Sequence, residues 1–136
     1  MSMEPDKVSY HPNWLRVMFA LNIFLTGGLA IFLIVAPNTA ATVFSSPAQE
    51  PLLSGYASSY MLGIAIFSIA GLRSPLKFSP LLFLQAIVKI IWFMAILIPA
   101  MAAGPLSTYA IGLAAMFIPY IIGDLIVTPY RYLFKK

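Results

Sequence analysis

Residues 81–98 read Leu-Leu-Phe-Leu-Gln-Ala-Ile-Val-Lys-Ile-Ile-Trp-Phe-Met-Ala-Ile-Leu-Ile, an apolar run broken by a single charge. With its flanks, a helix of this length spans a hydrocarbon core about 30 Å thick at about 1.5 Å per residue. Lys89 lies near the middle of the run, with Gln85 one helical turn before it. A lysine at the centre of a membrane helix costs about 2.5–3.5 kcal/mol, so a chain that keeps one must satisfy it or use it. The rest of the chain has the same character. Of its 136 residues, 61% are hydrophobic and only 9% are charged, against about 25% charged in soluble domains. Too few polar side chains remain to cover a water-facing surface, which excludes soluble globular and disordered classes alike. Lipid is the solvent.

The length allows one domain with four crossings. Hydropathy and turn residues place them at about 14–36, 52–72, 78–100 and 108–127, giving an all-α integral membrane four-helix bundle over residues 1–136. Residues 1–13 are a polar tail, where the single histidine, His11, is a surface residue. The first run is too long for a signal-peptide core, and no basic segment precedes it. Residues 38–54 form a loop with Pro47 and Pro51, leaving room for a one-turn interfacial helix around Val43 and Phe44. The second span carries Gly55, Ser59, Gly63 and Gly71, small residues that let a neighbouring helix approach closely. Arg73-Ser-Pro-Leu-Lys77 is a tight basic turn, 102–105 a short loop, and Pro119 predicts a kink in the fourth span. None of the runs alternates apolar and polar residues as strands of a membrane barrel would.

Orientation follows from the basic residues. Lys7 and Arg16 precede or open the first span, Arg73 and Lys77 lie in the second turn, and Arg131, Lys135 and Lys136 follow the fourth. The two other loops carry none. The positive-inside rule therefore predicts an up-down topology with both termini in the cytoplasm, N-in and C-in. Lys89 is the one basic residue that this rule leaves unexplained.

Polar side chains recur four residues apart, which puts each pair on one helix face: Asn22 and Thr26, Tyr56 and Tyr60, Gln85 and Lys89, Tyr120 and Asp124. Counting from the cytoplasmic ends, Asn22, Gln85 and Tyr120 come out about 12–14 Å deep, and Thr26, Lys89 and Tyr60 about 18–20 Å deep. Asp124, the only acid within a span, comes out at about 7–8 Å. The candidate binding layer is thus Lys89, Gln85, Asn22, Tyr60, Tyr120 and Asp124. Lys89 and its natural counter-ion differ in depth by about 10 Å. Three outcomes remain for Lys89: pairing with Asp124 by one of three routes (the Pro119 kink, a shifted register, or relay through Tyr120 and Gln85), a neutral amine, or a cavity-facing cation. Interhelical hydrogen bonding alone accounts for the uncharged members, each worth about 0.6–2 kcal/mol.

Other chemistry is unsupported by pattern. There is no cysteine, and one histidine makes no zinc site. No Ser–His–Asp set, phosphate-binding glycine loop or HExxH motif occurs, no metal site is indicated, and the cofactor, if any, is unknown. The net charge of +4 comes from helix-end residues and not from a solvated patch, so nucleic acid is not a partner.

The size, the Arg-containing start of the first helix (Trp14-Leu-Arg16) and the Pro-containing first outer loop (Val35-Ala-Pro37, Phe44-Ser-Ser-Pro47) form a recognisable set. So does the small-residue second helix (Ser59-Tyr-Met-Leu-Gly63) ending in Arg73-Ser-Pro75. Together they resemble the DoxX-like group of small four-helix bacterial membrane proteins. That resemblance implies a bacterial inner (cytoplasmic) membrane protein; it transfers no functional residue and no cofactor ligand. Three functions are open. The chain binds a lipid-like molecule or serves as an accessory subunit of a membrane complex, without enzymatic activity. Alternatively it is a small transporter or proton-coupled channel that works as a homo-oligomer through its Lys, Tyr and Asp layer. Last comes an intramembrane enzyme with Lys89 as base. Membrane lipid is a partner in every case.

Overall fold

The computed structural model describes residues 9–47 and 50–135. Among these residues there are only helices, turns and connecting segments, with no strand. We label the helices α1 (Pro12–Val35), α2 (Pro37–Val43), α3 (Pro51–Arg73), α4 (Pro75–Ala103), α5 (Thr108–Val127) and α6 (Tyr130–Leu133). α1, α3, α4 and α5 are each long and apolar enough to cross a membrane. The chain is an integral membrane protein. Lys7 and Lys136, two members of the basic set, lie outside the described residues.

Helix ends are set by proline, glycine and caps. α1, α2, α3 and α4 all begin with proline in the first turn, where its missing N–H is no loss. The Glu50 carboxylate caps α3 by accepting from the Leu52 and Leu53 amides at 3.0 and 2.6 Å. These two bonds hold its pKa below the ordinary glutamate range. Ser107 caps α5 by accepting from the Ala110 amide. Ser74 alone separates α3 from α4, at φ −132° and ψ 71°. The basic turn is therefore shorter than the hydropathy pattern implies, and Lys77 sits inside the first turn of α4. The third membrane helix runs Pro75–Ala103 where hydropathy places 78–100, because a proline start and a terminal Met-Ala-Ala segment extend it at both ends. Gly104 then turns the chain at φ 156°, a region that side chains avoid. The segment expected as a loop at 38–54 is partly helical: Pro37–Val43 forms the seven-residue α2, tied back by an edge-to-face contact of Phe44 with Phe32 at 6.1 Å, and α3 already begins at Pro51.

Prolines inside α4 and α5 do not end them. Pro80 cannot donate to the Leu76 carbonyl, and the Ser79 hydroxyl donates to that carbonyl instead at 2.7 Å. α5 runs without interruption through Pro119. Two stretches widen into π turns: Asn22–Thr26 in α1 and Phe93–Leu97 in α4.

α1 is the hub. Leu15, Met18 and Phe19 from it pack with Leu82 of α4 and with Tyr120 and Val127 of α5. Glycines allow the closest approaches. A Cβ on Gly71 would lie 2.6 Å from the Phe19 ring, one on Gly27 2.8 Å from the Ala65 Cβ, and one on Gly123 2.8 Å from Met18. In lipid such close packing replaces the hydrophobic drive between helices. Gly55 and Gly63 have open space where a Cβ would stand, so only part of the small-residue pattern of α3 is used within the chain. The Arg16 side chain ties the start of α1 to the end of α3, its Nε donating to the Leu72 carbonyl at 3.2 Å.

Candidate functional site

The polar residues of α1, α4 and α5 are drawn inward. Asn22 and Asp124 are 0% exposed, Gln85 3%, Tyr120 6% and Lys89 8%. Tyr60, also part of the layer suggested by spacing, is 39% exposed and Tyr56 73%, so α3 turns both tyrosines outward. Its inward polar residues are Ser58 and Ser68, whose hydroxyls donate to carbonyls four residues back, Ser54 and Ile64. The layer is thus built by three helices and not by four.

Aromatic contacts fix the register between α4 and α5. Trp92 stacks edge-to-face on Phe117 at 5.1 Å, and the Lys89 ammonium lies 4.7 Å from the centre of the Tyr120 ring. Nearer the chain end, Phe83 meets Tyr130 at 5.8 Å. Residues 92 and 117, then 89 and 120, stand opposite one another. One further turn of each helix puts Gln85 opposite Asp124. The depth mismatch of about 10 Å between Lys89 and Asp124 that end-counting suggests does not hold. α4 begins well beyond the point where α5 stops, so depths measured from the two helix ends have different origins. A shifted register, one of the three routes open from the sequence, brings Asp124 within interaction range of Lys89.

Contact is nevertheless incomplete. Both Asp124 carboxylate oxygens, the Gln85 carbonyl oxygen and both ends of the Asn22 amide are buried with no hydrogen-bonding partner among the described residues. The Lys89 ammonium is held over two ring faces, Tyr120 at 4.7 Å and Phe117 at 5.6 Å, a cation–π arrangement worth about 2 kcal/mol when desolvated. Each unpartnered buried neutral group costs about 1–3 kcal/mol, and a charged one more. Five such atoms in one layer are costly for packing alone.

The Tyr120 hydroxyl is the exception. It accepts from the Thr26 hydroxyl at 3.2 Å and donates to the Leu21 carbonyl at 3.1 Å. The π turn explains the second bond. With the Gly27 amide bonded to the Asn22 carbonyl, five residues back, the backbone ladder is widened just beyond Leu21. Tyr120 supplies the Leu21 carbonyl with a side-chain donor. The same turn presents Asn22 to the core. Hydropathy and spacing found Asn22, Gln85, Lys89, Tyr120 and Asp124; nothing in the sequence marks the π turn. Two shallow surface hollows lie elsewhere, one beside Lys77, Phe78 and Leu81 and one between Ile90, Phe93 and Ile122.

The chain matches no known family model, no curated protein and no solved structure.

Proposed function

We propose that this chain is an up-down four-helix bundle of the bacterial inner membrane, with both termini in the cytoplasm, whose Lys89–Asp124 centre exchanges a proton as part of a small transport unit. One observation carries this reading: a fully buried carboxylate with neither oxygen partnered, beside a buried lysine that leaves it uncontacted. The pair has two forms of zero net charge, carboxylate with ammonium and carboxylic acid with amine. Moving one proton interconverts them without leaving a net charge in lipid, where an isolated charge is expensive. Gln85 and Asn22, buried with unpartnered amide oxygens, would hydrogen-bond the ammonium or the carboxylic acid. Four helices are few for a complete carrier, so the working unit would be a homo-oligomer or a complex. The orientation is supported by Arg16 in the first turns of the first membrane helix, Arg73 and Lys77 around the α3–α4 turn, and Arg131 and Lys135 after α5, since the positive-inside rule puts such residues on the cytoplasmic side.

Vesicles reconstituted with the protein and loaded with a pH-sensitive dye test the reading. Wild type should dissipate an imposed pH gradient faster than empty vesicles, and Asp124→Asn should return the rate to background. Equal rates for wild type and empty vesicles would refute it.

A second reading rests on α5. Only 11% of the positions in its most apolar window are buried, and Ile111, Ile118, Ile122 and Ile126 are exposed. That surface suits lipid or a neighbouring membrane subunit, as expected for an accessory protein. Native mass spectrometry of protein extracted from its own membrane separates the two: a stoichiometric protein partner favours this role, and bound lipid alone does not.

A further inference from the structure

Four buried oxygens in the polar layer share one chemistry. Both Asp124 carboxylate oxygens, the Asn22 Oδ1 and the Gln85 Oε1 are hard donors with lone pairs that no described N–H or O–H meets. Four contacts bracket their positions. Met18 of α1 packs on Gly123 of α5, and Thr26 of α1 bonds to Tyr120 of α5. Asn22 lies one turn from each of these on the same face of α1, and so looks towards the segment of α5 that carries Asp124. Gln85 stands opposite Asp124 in the register set by Trp92 with Phe117 and Lys89 with Tyr120.

We propose that these oxygens form a site for a monovalent alkali cation, bound at Asp124 in exchange for the Lys89 proton. The proposal rests on the proton-exchange reading above and names the solute exchanged. Carboxylate and amide oxygens suit hard cations. The formal charge of the donor set is one negative, from Asp124, which balances a single positive charge. Among the described residues no group of three or more His, Cys, Asp or Glu exists to hold a transition metal. The Lys89 ammonium lies over the Tyr120 and Phe117 rings and hydrogen-bonds neither Asp124 oxygen, which leaves the oxygens free for a competitor.

The exchange balances. With Lys89 as ammonium and Asp124 as carboxylate, the centre is neutral. A cation M⁺ entering at Asp124 would add a charge to a site in lipid. Loss of one proton from Lys89 Nζ to water restores neutrality, leaving amine and M⁺–carboxylate. The groups that govern this are few. α4 contributes Lys89 and α5 contributes Tyr120 and Asp124. From α1 come Asn22 and Thr26, neither of which titrates, and the buried residues of α3 are Ser58, Ile64, Ala65, Ser68 and Gly71. Tyr120 is engaged with Thr26 and the Leu21 carbonyl.

The test is thermal unfolding of the purified protein as NaCl or KCl replaces choline chloride at constant ionic strength, from pH 6 to 9. Saturable stabilisation by Na⁺ or K⁺ is expected, with the half-saturating concentration rising up to about tenfold for each unit of falling pH, as one-for-one competition with a proton requires. Asp124→Asn should abolish the response. Lys89→Gln should keep saturation, with the competing proton now carried by Asp124 itself, and Gln85→Leu should weaken it without removing it. If Lys89→Gln does not fold, the crossed dependence of wild type on pH and cation decides alone. Identical unfolding in Na⁺, K⁺ and choline overturns the cation site. If vesicles of the same preparation still conduct protons through Asp124, the proton-exchange reading stands without it; if they do not, both fall.

Discussion

Gly71 gives the sharpest test of the packing. In Gly71→Ala the new methyl would sit 2.6, 2.6 and 2.7 Å from three atoms of the Phe19 ring. Phe19 is 0% exposed and wedged in the core with Leu15 and Leu82, so the ring cannot swing aside freely. Overpacking of this kind costs about 1–3 kcal/mol, and three simultaneous contacts with a stiff ring argue for the upper half of that range. The gain in helix propensity of Ala over Gly returns about 0.8–1 kcal/mol. The net expectation is a loss of about 1–2 kcal/mol. Gly63 lies on the same helix with nothing near its absent Cβ, so Gly63→Ala should show the propensity gain alone. Reversible unfolding in mixed micelles with increasing denaturing detergent reads both. Adding Phe19→Leu to Gly71→Ala should recover at least half of the loss, a coupling of about 1 kcal/mol. A Gly71→Ala protein as stable as Gly63→Ala would refute the contact between α1 and α3 on which the hub rests.

The remaining expectations are more local. Ser79→Ala should cost about 1 kcal/mol by stranding the Leu76 carbonyl, and almost nothing in a Pro80→Ala background, where the backbone amide resumes the bond; equal costs in both backgrounds would deny the compensation. Tyr120→Phe removes the donor to the Leu21 carbonyl and the acceptor for Thr26, and should lower stability by about 0.6–2 kcal/mol. Glu50 stabilises the start of α3 as a carboxylate with a lowered pKa. Its contribution is complete above the usual glutamate range and is lost as pH falls through the lower folded value, so a carboxyl NMR titration of Glu50 should lie below that of Glu50 in unfolded protein. With no native cysteine, single-cysteine labelling checks orientation: Ala103→Cys should react from outside intact cells and Ser74→Cys should not.

Much of the architecture was readable because lipid imposes a simple rule on composition. Thr108–Val127 starts and stops where the apolar run does, since Ser107 and Thr128 flank it. Pro75–Ala103 was read short at both ends, because a hydropathy window does not register that proline opens a helix. The members of the site were legible as residue types, costly in lipid and spaced by four. Their meeting was not. Spacing cannot tell that α3 turns Tyr60 outward, since Tyr is equally at home at a lipid interface. Depth counted from helix ends misplaced Asp124, because the offset between α4 and α5 is set by Trp92 on Phe117 and Phe83 on Tyr130.

The π turn at Asn22–Thr26 also bears on how the chain tolerates change in length. Its wider bond, five residues in place of four, absorbs one residue beyond the α-helical count. A sister sequence lacking one residue in this stretch would close to plain α-helix and keep Met18 and Phe19 below it, and Gly27 and Ala30 above it, on their present faces. The same deletion anywhere else in α1 would turn the distal half by about 100°, carrying Gly27 off Ala65. A one-residue gap here would be silent for folding and would cost only the display of Asn22, so length at this point is where descent could add or remove the site without rebuilding the protein.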